Sequence, residues 1–278
     1  MTFQDFLHPL LAVYDSGEAR AVARLVMESR YGLSLTDIAC GEVERCDERD
    51  LESVLARLLQ SEPVQYVLGE AAFCGRKFRV GPGVLIPRPE TEWLCRKAVE
   101  LMSGRQGVSV LDVGTGSGCI ACTIALDLAP SNIKEVVAWD ISDRAIALAR
   151  ENASALGACV TVEKADALRP PACSCRRWDV IVSNPPYICQ CEREAMHDNV
   201  LRYEPASALF VPDADPLLFY RAIARYALYA LKSSGVLLFE VNPTYADGIL
   251  AMAVAMGFSS VTLADDYFGK RRYAVITA

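Results

Sequence analysis

The chain has 278 residues, 52% of them apolar and 23% charged, with a net charge of −7. That length suits an α/β catalytic domain with an accessory piece. The absence of any run of about 18 apolar residues excludes a transmembrane helix. Met1-Thr2-Phe3-Gln4-Asp5 lacks the basic start of a secretory signal, and the acidic balance argues against duplex nucleic acid as the principal partner. Eleven cysteines, an odd number, in such a chain imply reduced thiols and a cytoplasmic location.

The first 60 or so residues read as helices. Phe6, Leu7, Leu10, Leu11 and Tyr14 recur at helical spacing, and Ala21, Leu25, Val26 and Tyr31 continue a second stripe ending near Gly32. Ser34-Leu35-Thr36-Asp37 is a helix start. Residues 50–59 give a further helix, with Leu51, Val54, Leu55, Leu58 and Leu59 on one face, and Pro63 stops it. These stripes read as core, so the segment is a small helical bundle. Between residues 64 and 87 the period shortens. Gln65-Tyr66-Val67-Leu68-Gly69 and Arg76-Lys77-Phe78-Arg79-Val80 flank a turn-rich stretch, which predicts a β-hairpin linking the bundle to the rest of the chain.

Beyond residue 90 strands and helices alternate. Strands are predicted at 109–113, 135–139, 160–163, 178–182 and 235–241, and helices at 91–102, 119–128, 142–156, 217–231 and 245–256. Two closing strands, 259–263 and 272–276, form a hairpin. Such alternation implies a mostly parallel sheet with helices on both faces.

The first of these strands runs into Gly114-Thr115-Gly116-Ser117-Gly118, which opens a helix. Strand, glycine loop and helix together make a nucleotide-type binding turn. No Lys-Ser/Thr pair comes after it, so the loop is not a P-loop. Asp112 precedes it, Asp140 ends the next strand where an acid can accept from ribose hydroxyls, and Asp166 comes after the third strand. Acids rather than bases suit S-adenosylmethionine, which carries a sulfonium cation and no phosphate.

The fourth strand ends in Asn184-Pro185-Pro186-Tyr187. In open α/β sheets ligands bind beyond the carboxyl ends of the strands, so a methyl acceptor would approach here. An amide or aromatic amino nitrogen is a poor nucleophile because its lone pair is delocalised. Two acceptors for its N–H groups, the Asn184 side-chain carbonyl and the Pro185 backbone carbonyl, would turn the lone pair toward the methyl group. The prolines fix the local φ angles, and Tyr187 offers a ring face for a planar group. This chemistry requires neither a strong base nor a metal. The pairs Cys173/Cys175 and Cys189/Cys191 depart from the usual C-x2-4-C zinc spacing, so no metal is expected.

Three stretches resemble the HemK/PrmC family, the protein-(glutamine-N5) methyltransferases of peptide chain release factors. They are Pro63-Val64-Gln65-Tyr66 with Gly69 and Phe73; 80–92, containing Ile86-Pro87-Arg88-Pro89-Glu90-Thr91-Glu92; and 182–187 with Arg202-Tyr203-Glu204-Pro205 downstream. The resemblance implies an α/β, Rossmann-like class I S-adenosylmethionine-dependent methyltransferase with a seven-stranded, mostly parallel sheet. It implies an N-terminal helical docking domain over 1–63, a β-hairpin linker over 64–87 and a catalytic domain over 88–278. Gly114, Thr115, Gly116, Ser117, Gly118, Asp140, Asp166, Ala167 and Asn184 would contact the methyl donor. Asn184, Pro185, Pro186 and Tyr187, with Arg88, Pro89, Glu90 and Thr91, would hold the glutamine of a Gly-Gly-Gln loop. Asn184, Pro185 and Tyr187 would be catalytic. The partner implied is a release factor met by a monomer, with no nucleic acid or membrane. Two positions depart from the family pattern: Ala167, where some relatives carry a bulky aromatic, and Val241-Asn242-Pro243, where relatives commonly show a glycine. The stretch 86–92 does not separate this activity from that of a ribosomal-protein glutamine methyltransferase, Asn-Pro-Pro-Tyr alone is shared with nucleic-acid adenine methyltransferases, and the intact Asn184 motif argues against a catalytically silent S-adenosylmethionine-binding module.

Overall fold

The computed structural model describes residues 1–171 and 177–278. Its α-helices and strands in chain order are α1 (Phe3–Leu10), α2 (Ser16–Tyr31), α3 (Leu35–Ala39), α4 (Glu48–Leu59), α5 (Val64–Leu68), β1 (Glu70–Phe73), β2 (Arg76–Arg79), α6 (Glu92–Met102), β3 (Val108–Val113), α7 (Cys119–Asp127), β4 (Ile133–Asp140), α8 (Asp143–Leu156), β5 (Thr161–Lys164), β6 (Trp178–Ser183), β7 (Ile188–Cys189), α9 (Asp198–Tyr203), α10 (Ala206–Leu209), β8 (Phe210–Val211), α11 (Leu218–Ala230), β9 (Leu231–Glu240), α12 (Ala246–Ala255), β10 (Ser260–Asp265) and β11 (Arg271–Thr277). No helix among the described residues is long and apolar enough to cross a membrane.

Two compact units emerge: Met1–Ala71 with Val80–Pro82 and Met196–Tyr203, and Ala72–Arg79 with Gly83–Ala195 and Glu204–Ala278. In the first unit, side chains satisfy the free backbone N–H groups at helix starts. Thr2 with Asp5 and Ser34 with Asp37 form capping boxes, and Asp15 and Asp47 cap α2 and α4. The core takes Phe6, Leu7 and Leu10 from α1 and Leu51, Val54 and Leu58 from α4. The buried stripe of α2 differs from the expected one: it is Ala19, Val22, Ala23, Val26 and Met27, while Leu25 is exposed. Leu11 and Leu59 are exposed as well.

The expected strand at 65–69 is a helix. Val64–Leu68 makes one short α-turn that starts after Pro63 and stops at Gly69, whose φ of +75° is left-handed. The hairpin pairs Glu70–Phe73 with Arg76–Arg79 instead.

In the second unit seven strands form one sheet in the order β10-β11-β9-β6-β3-β4-β5. β3 pairs in parallel with both β4 and β6, β4 with β5, and β6 with β9. β11 alone runs antiparallel, beside β9 and β10. Every residue of β3 and of β6 is buried, as befits central strands covered on both faces. Successive side chains go to opposite faces. Val110, Val182 and Leu238 meet α6, α7 and α8, while Leu111, Ile181 and Phe239 meet α11 and α12. Chain order reverses between β3 and β6, and a crevice opens at the carboxyl ends of strands at such a switch point.

Candidate active site

Two loops leave the sheet side by side at this switch point. The Ser183 hydroxyl at the end of β6 donates to the Val113 carbonyl at the end of β3, 2.6 Å away. The backbone N–H groups of Gly114 and Thr115 both donate to the Trp139 carbonyl of β4 at 2.9 Å. Gly116 N–H donates to one Asp140 oxygen and Ser142 N–H to the other, each at 2.9 Å. Asp140 thus shapes the glycine loop and keeps further lone pairs for a ligand.

Asp112 is wholly buried under the loop. Its Oδ2 accepts from the Thr115 hydroxyl at 2.6 Å and from Ala121 N–H at 3.2 Å. Burial dominates its ionisation and lifts the pKa to about 7. Asn152 of α8 anchors the loop from the other side. Its amide nitrogen donates to the carbonyls of Ser117 and Arg79, and its oxygen accepts from Arg79 N–H. Gly118 has φ +80°, and a Cβ there would meet the Ala149 Cβ at 3.1 Å and Cα at 3.2 Å. The missing side chain lets the loop lie against α8.

A cavity of about 350 Å³ opens between the loops. Gly114, Thr115, Gly116, Ser117, Asp140, Asp166, Ala167, Asn184, Pro185, Pro186, Arg88 and Thr91 line it. Gly118, Pro89, Glu90 and Tyr187 do not. Gly118 serves the packing on α8, and the Glu90 carbonyl accepts from the Tyr273 hydroxyl at 2.8 Å. The Tyr187 hydroxyl donates to Glu240 at 3.0 Å while its ring packs with the α11 and α12 cluster. Among the described residues, Arg88 is the only basic one on the cavity wall, and it is paired with the buried Glu204, which also accepts from Ile86 N–H at 3.0 Å. The described wall therefore presents Asp140 and Asp166 and no unpaired cation.

Asn184 donates through Nδ2 to the Thr91 hydroxyl at 3.1 Å, and Thr91 donates to Glu240 at 2.7 Å. Its Oδ1 has no partner among the described residues. Burial raises the pKa of Glu240, with the bonds from Thr91 and Tyr187 opposing that rise.

Glu240 and Asn152 are the site residues that sequence reasoning missed, and Glu204 was named there only within the Arg202-Tyr203-Glu204-Pro205 stretch, without a role. Glu240 had a signal, since it is an acid at the carboxyl end of the apolar run Val236–Phe239. Asn152 had none, as an ordinary polar residue within a helix. Asn242 explains one departure from the family pattern. It has φ −69° and needs no glycine, and its amide donates to the Tyr187 carbonyl and to Glu192. Of the clustered cysteines, Cys189 is buried with its thiol 3.2 Å from the Tyr245 hydroxyl and Cys191 is exposed. Cys173 and Cys175 lie outside the described residues.

The sheet order, the glycine loop and the switch-point cavity define a Rossmann-like class I S-adenosylmethionine-dependent methyltransferase fold. A methyltransferase from Pyrococcus furiosus shares it: its crystal structure is 19% identical, with a TM-score of 0.53, covering 81% of this chain and 97% of that one. Residues 95–203 match the family described as methyltransferase small domain, and residues 9–69 match the PrmC N-terminal domain. The release factor glutamine methyltransferase of Bacteroides thetaiotaomicron is 41% identical over 96% of this chain and 94% of its own length. That of Flavobacterium psychrophilum is 36% identical over the same shares. The chain belongs to the release factor glutamine methyltransferase family.

Proposed function

We propose that this enzyme transfers a methyl group from S-adenosylmethionine to the side-chain amide nitrogen, N5, of the glutamine in the Gly-Gly-Gln motif of peptide chain release factors. The products are N5-methylglutamine and S-adenosylhomocysteine. The cavity suits the donor: its volume lies in the range of small-molecule sites, its glycine loop keeps side chains out of the way, and its acids meet a cation without competition from a free base. Gly114, Thr115, Gly116 and Ser117 would hold the donor, Asp140 its ribose and Asp166 and Ala167 its adenine end. When bound, the donor supplies an electrophilic methyl group on a cationic sulfur.

One observation carries the reading. Asn184 has its amide nitrogen engaged by Thr91, which leaves Oδ1 as a free acceptor on the cavity wall. Oδ1 and the Pro185 carbonyl would accept from the two N–H groups of the substrate amide. The lone pair of N5 then lies across both bonds, toward the methyl group, and positive charge growing on nitrogen is stabilised. The methylated nitrogen is strongly acidic while cationic, so its proton can pass to water without a dedicated base. Arg88 and Thr91 frame the substrate side of the cavity, with Arg88 neutralised by Glu204.

The test offers labelled S-adenosylmethionine with release factor, ribosomal proteins or DNA. Label should appear on the release factor and vanish when the Gly-Gly-Gln glutamine is replaced. Label confined to nucleic acid or to a ribosomal protein overturns the proposal. Asn184→Ala should lower kcat about 10²-fold or more, as loss of one transition-state hydrogen-bond partner does.

A further inference from the structure

We propose that Glu240 is a positioning residue: its buried carboxylate, acting through the Thr91 hydroxyl, fixes which way round the Asn184 amide lies. The inference rests on the reading of Asn184 as the acceptor for the substrate amide.

Alternation along β9 places Glu240 on the same face as Val236 and Leu238, beneath α6, where Thr91 stands at the helix start. Glu240 is 2% exposed. Its Oε2 accepts from the Thr91 hydroxyl and its Oε1 from the Tyr187 hydroxyl, so both oxygens act as acceptors. An ionised carboxylate has no proton to give. Thr91 has one hydroxyl hydrogen, and it is donated to Glu240 in a hydrogen bond. Toward Asn184 the Thr91 oxygen can then only accept, which selects the amide NH₂ as its neighbour at 3.1 Å. Oδ1 is turned to the cavity by elimination. Asn184 has no other side-chain partner among the described residues, so this chain of donors is what distinguishes its two amide orientations.

A neutral carboxyl reverses the logic. A Glu240 hydroxyl can donate to Thr91, Thr91 can donate to Asn184, and the amide turns its NH₂ to the substrate. Two donors then face each other across the reacting centre. The groups facing Glu240 are Arg272 and Tyr273 on β11, Tyr220 on α11, Tyr187 after β6 and Glu90 before α6. Arg272 favours the ionised form and Glu90 opposes it, while burial is the largest influence and moves the group above the ordinary carboxylate range.

The experiment compares Asn184→Ala, Thr91→Val, Thr91→Ser and Glu240→Gln in the full-length enzyme. It records kcat and KM for release factor between pH 5.5 and 8.5, S-adenosylmethionine affinity by calorimetry, and Tm. Thr91→Val keeps the shape and removes the hydroxyl. It should lower kcat about tenfold or more, with donor affinity nearly unchanged and a lower Tm, because a buried Glu240 oxygen loses its donor. Thr91→Ser should recover most of that loss. Glu240→Gln should lower kcat and abolish the fall in kcat on the acid side of the profile, a change that loss of packing alone does not produce. If Asn184→Ala is inactive while Thr91→Val and Glu240→Gln keep the wild-type kcat and acid limb, the relay is wrong and the reading of Asn184 stands. If Asn184→Ala itself retains wild-type kcat, the reading fails and the relay with it. Should Glu240→Gln not fold, Thr91→Val and its serine counterpart decide the question alone.

Discussion

Replacing either end of the glycine loop with alanine should separate two roles that glycine plays in one motif. Gly114 and Gly118 both have left-handed backbones, with φ +77° and +80°. Alanine at either position takes on a strain of about 1–2 kcal/mol. Their surroundings differ. A Cβ on Gly114, which lines the cavity, meets nothing within 4 Å, whereas one on Gly118 meets Ala149 at 3.1 and 3.2 Å, against both side chain and backbone of α8. Overpacking of that kind adds about 1–3 kcal/mol. Gly118→Ala should therefore lose about 2–5 kcal/mol of stability in urea unfolding. Gly114→Ala should lose only the strain, yet bind S-adenosylmethionine about tenfold or more weakly by calorimetry, since its new methyl group occupies ligand space. A Gly118→Ala protein no less stable than Gly114→Ala would refute the packing argument. Wild-type donor affinity in Gly114→Ala would refute the placement of the cofactor.

Asp112 should make stability pH-dependent. Its folded pKa of about 7 lies above the unfolded 3.8, so the folded protein holds an extra proton between those values. Its contribution is full below the unfolded value and is lost as pH rises through 7, by on the order of 3–5 kcal/mol. In urea unfolding from pH 5 to 8.5, wild type should weaken relative to Asp112→Asn and the difference should level off above pH 8; a constant difference would sink the claim. Asn152→Ala should cost about 1–3 kcal/mol, because it strands the buried Ser117 carbonyl and removes the partner of the part-buried Arg79 backbone groups. It should also weaken donor binding through the loop, and unchanged affinity would show that Ser117 needs no such anchor.

The fold was readable where local pattern decides structure. The α/β alternation, the glycine loop and the strand before Asn184 each depend on neighbours in sequence. Residues 65–69 misled because Val and Tyr favour strands and five residues are too few to show a helical period. Pro63 and Gly69 were the better guides, as start and stop signals. The stretch 188–216 carries no period that would reveal β7, β8, α9 or α10. The acids Asp112, Asp140 and Asp166 looked alike in sequence, but burial divides them. Asp112 braces the loop from beneath, while Asp140 and Asp166 reach the cavity. Glu240, 149 residues from Thr91, could be paired with it only once the sheet was formed.

The bonds between Asn152 and Arg79 also bear on how the chain is made. Arg79 emerges from the ribosome 73 residues ahead of the asparagine that satisfies its backbone. Until α8 arrives, the second hairpin strand keeps water on those groups, and the glycine loop, synthesised between the two, has no clasp on its Ser117 carbonyl. The proposed donor site is therefore a late event in synthesis, completed only when α8 closes over residues already made. Any fragment intended to bind the donor must begin before the hairpin and extend beyond Asn152.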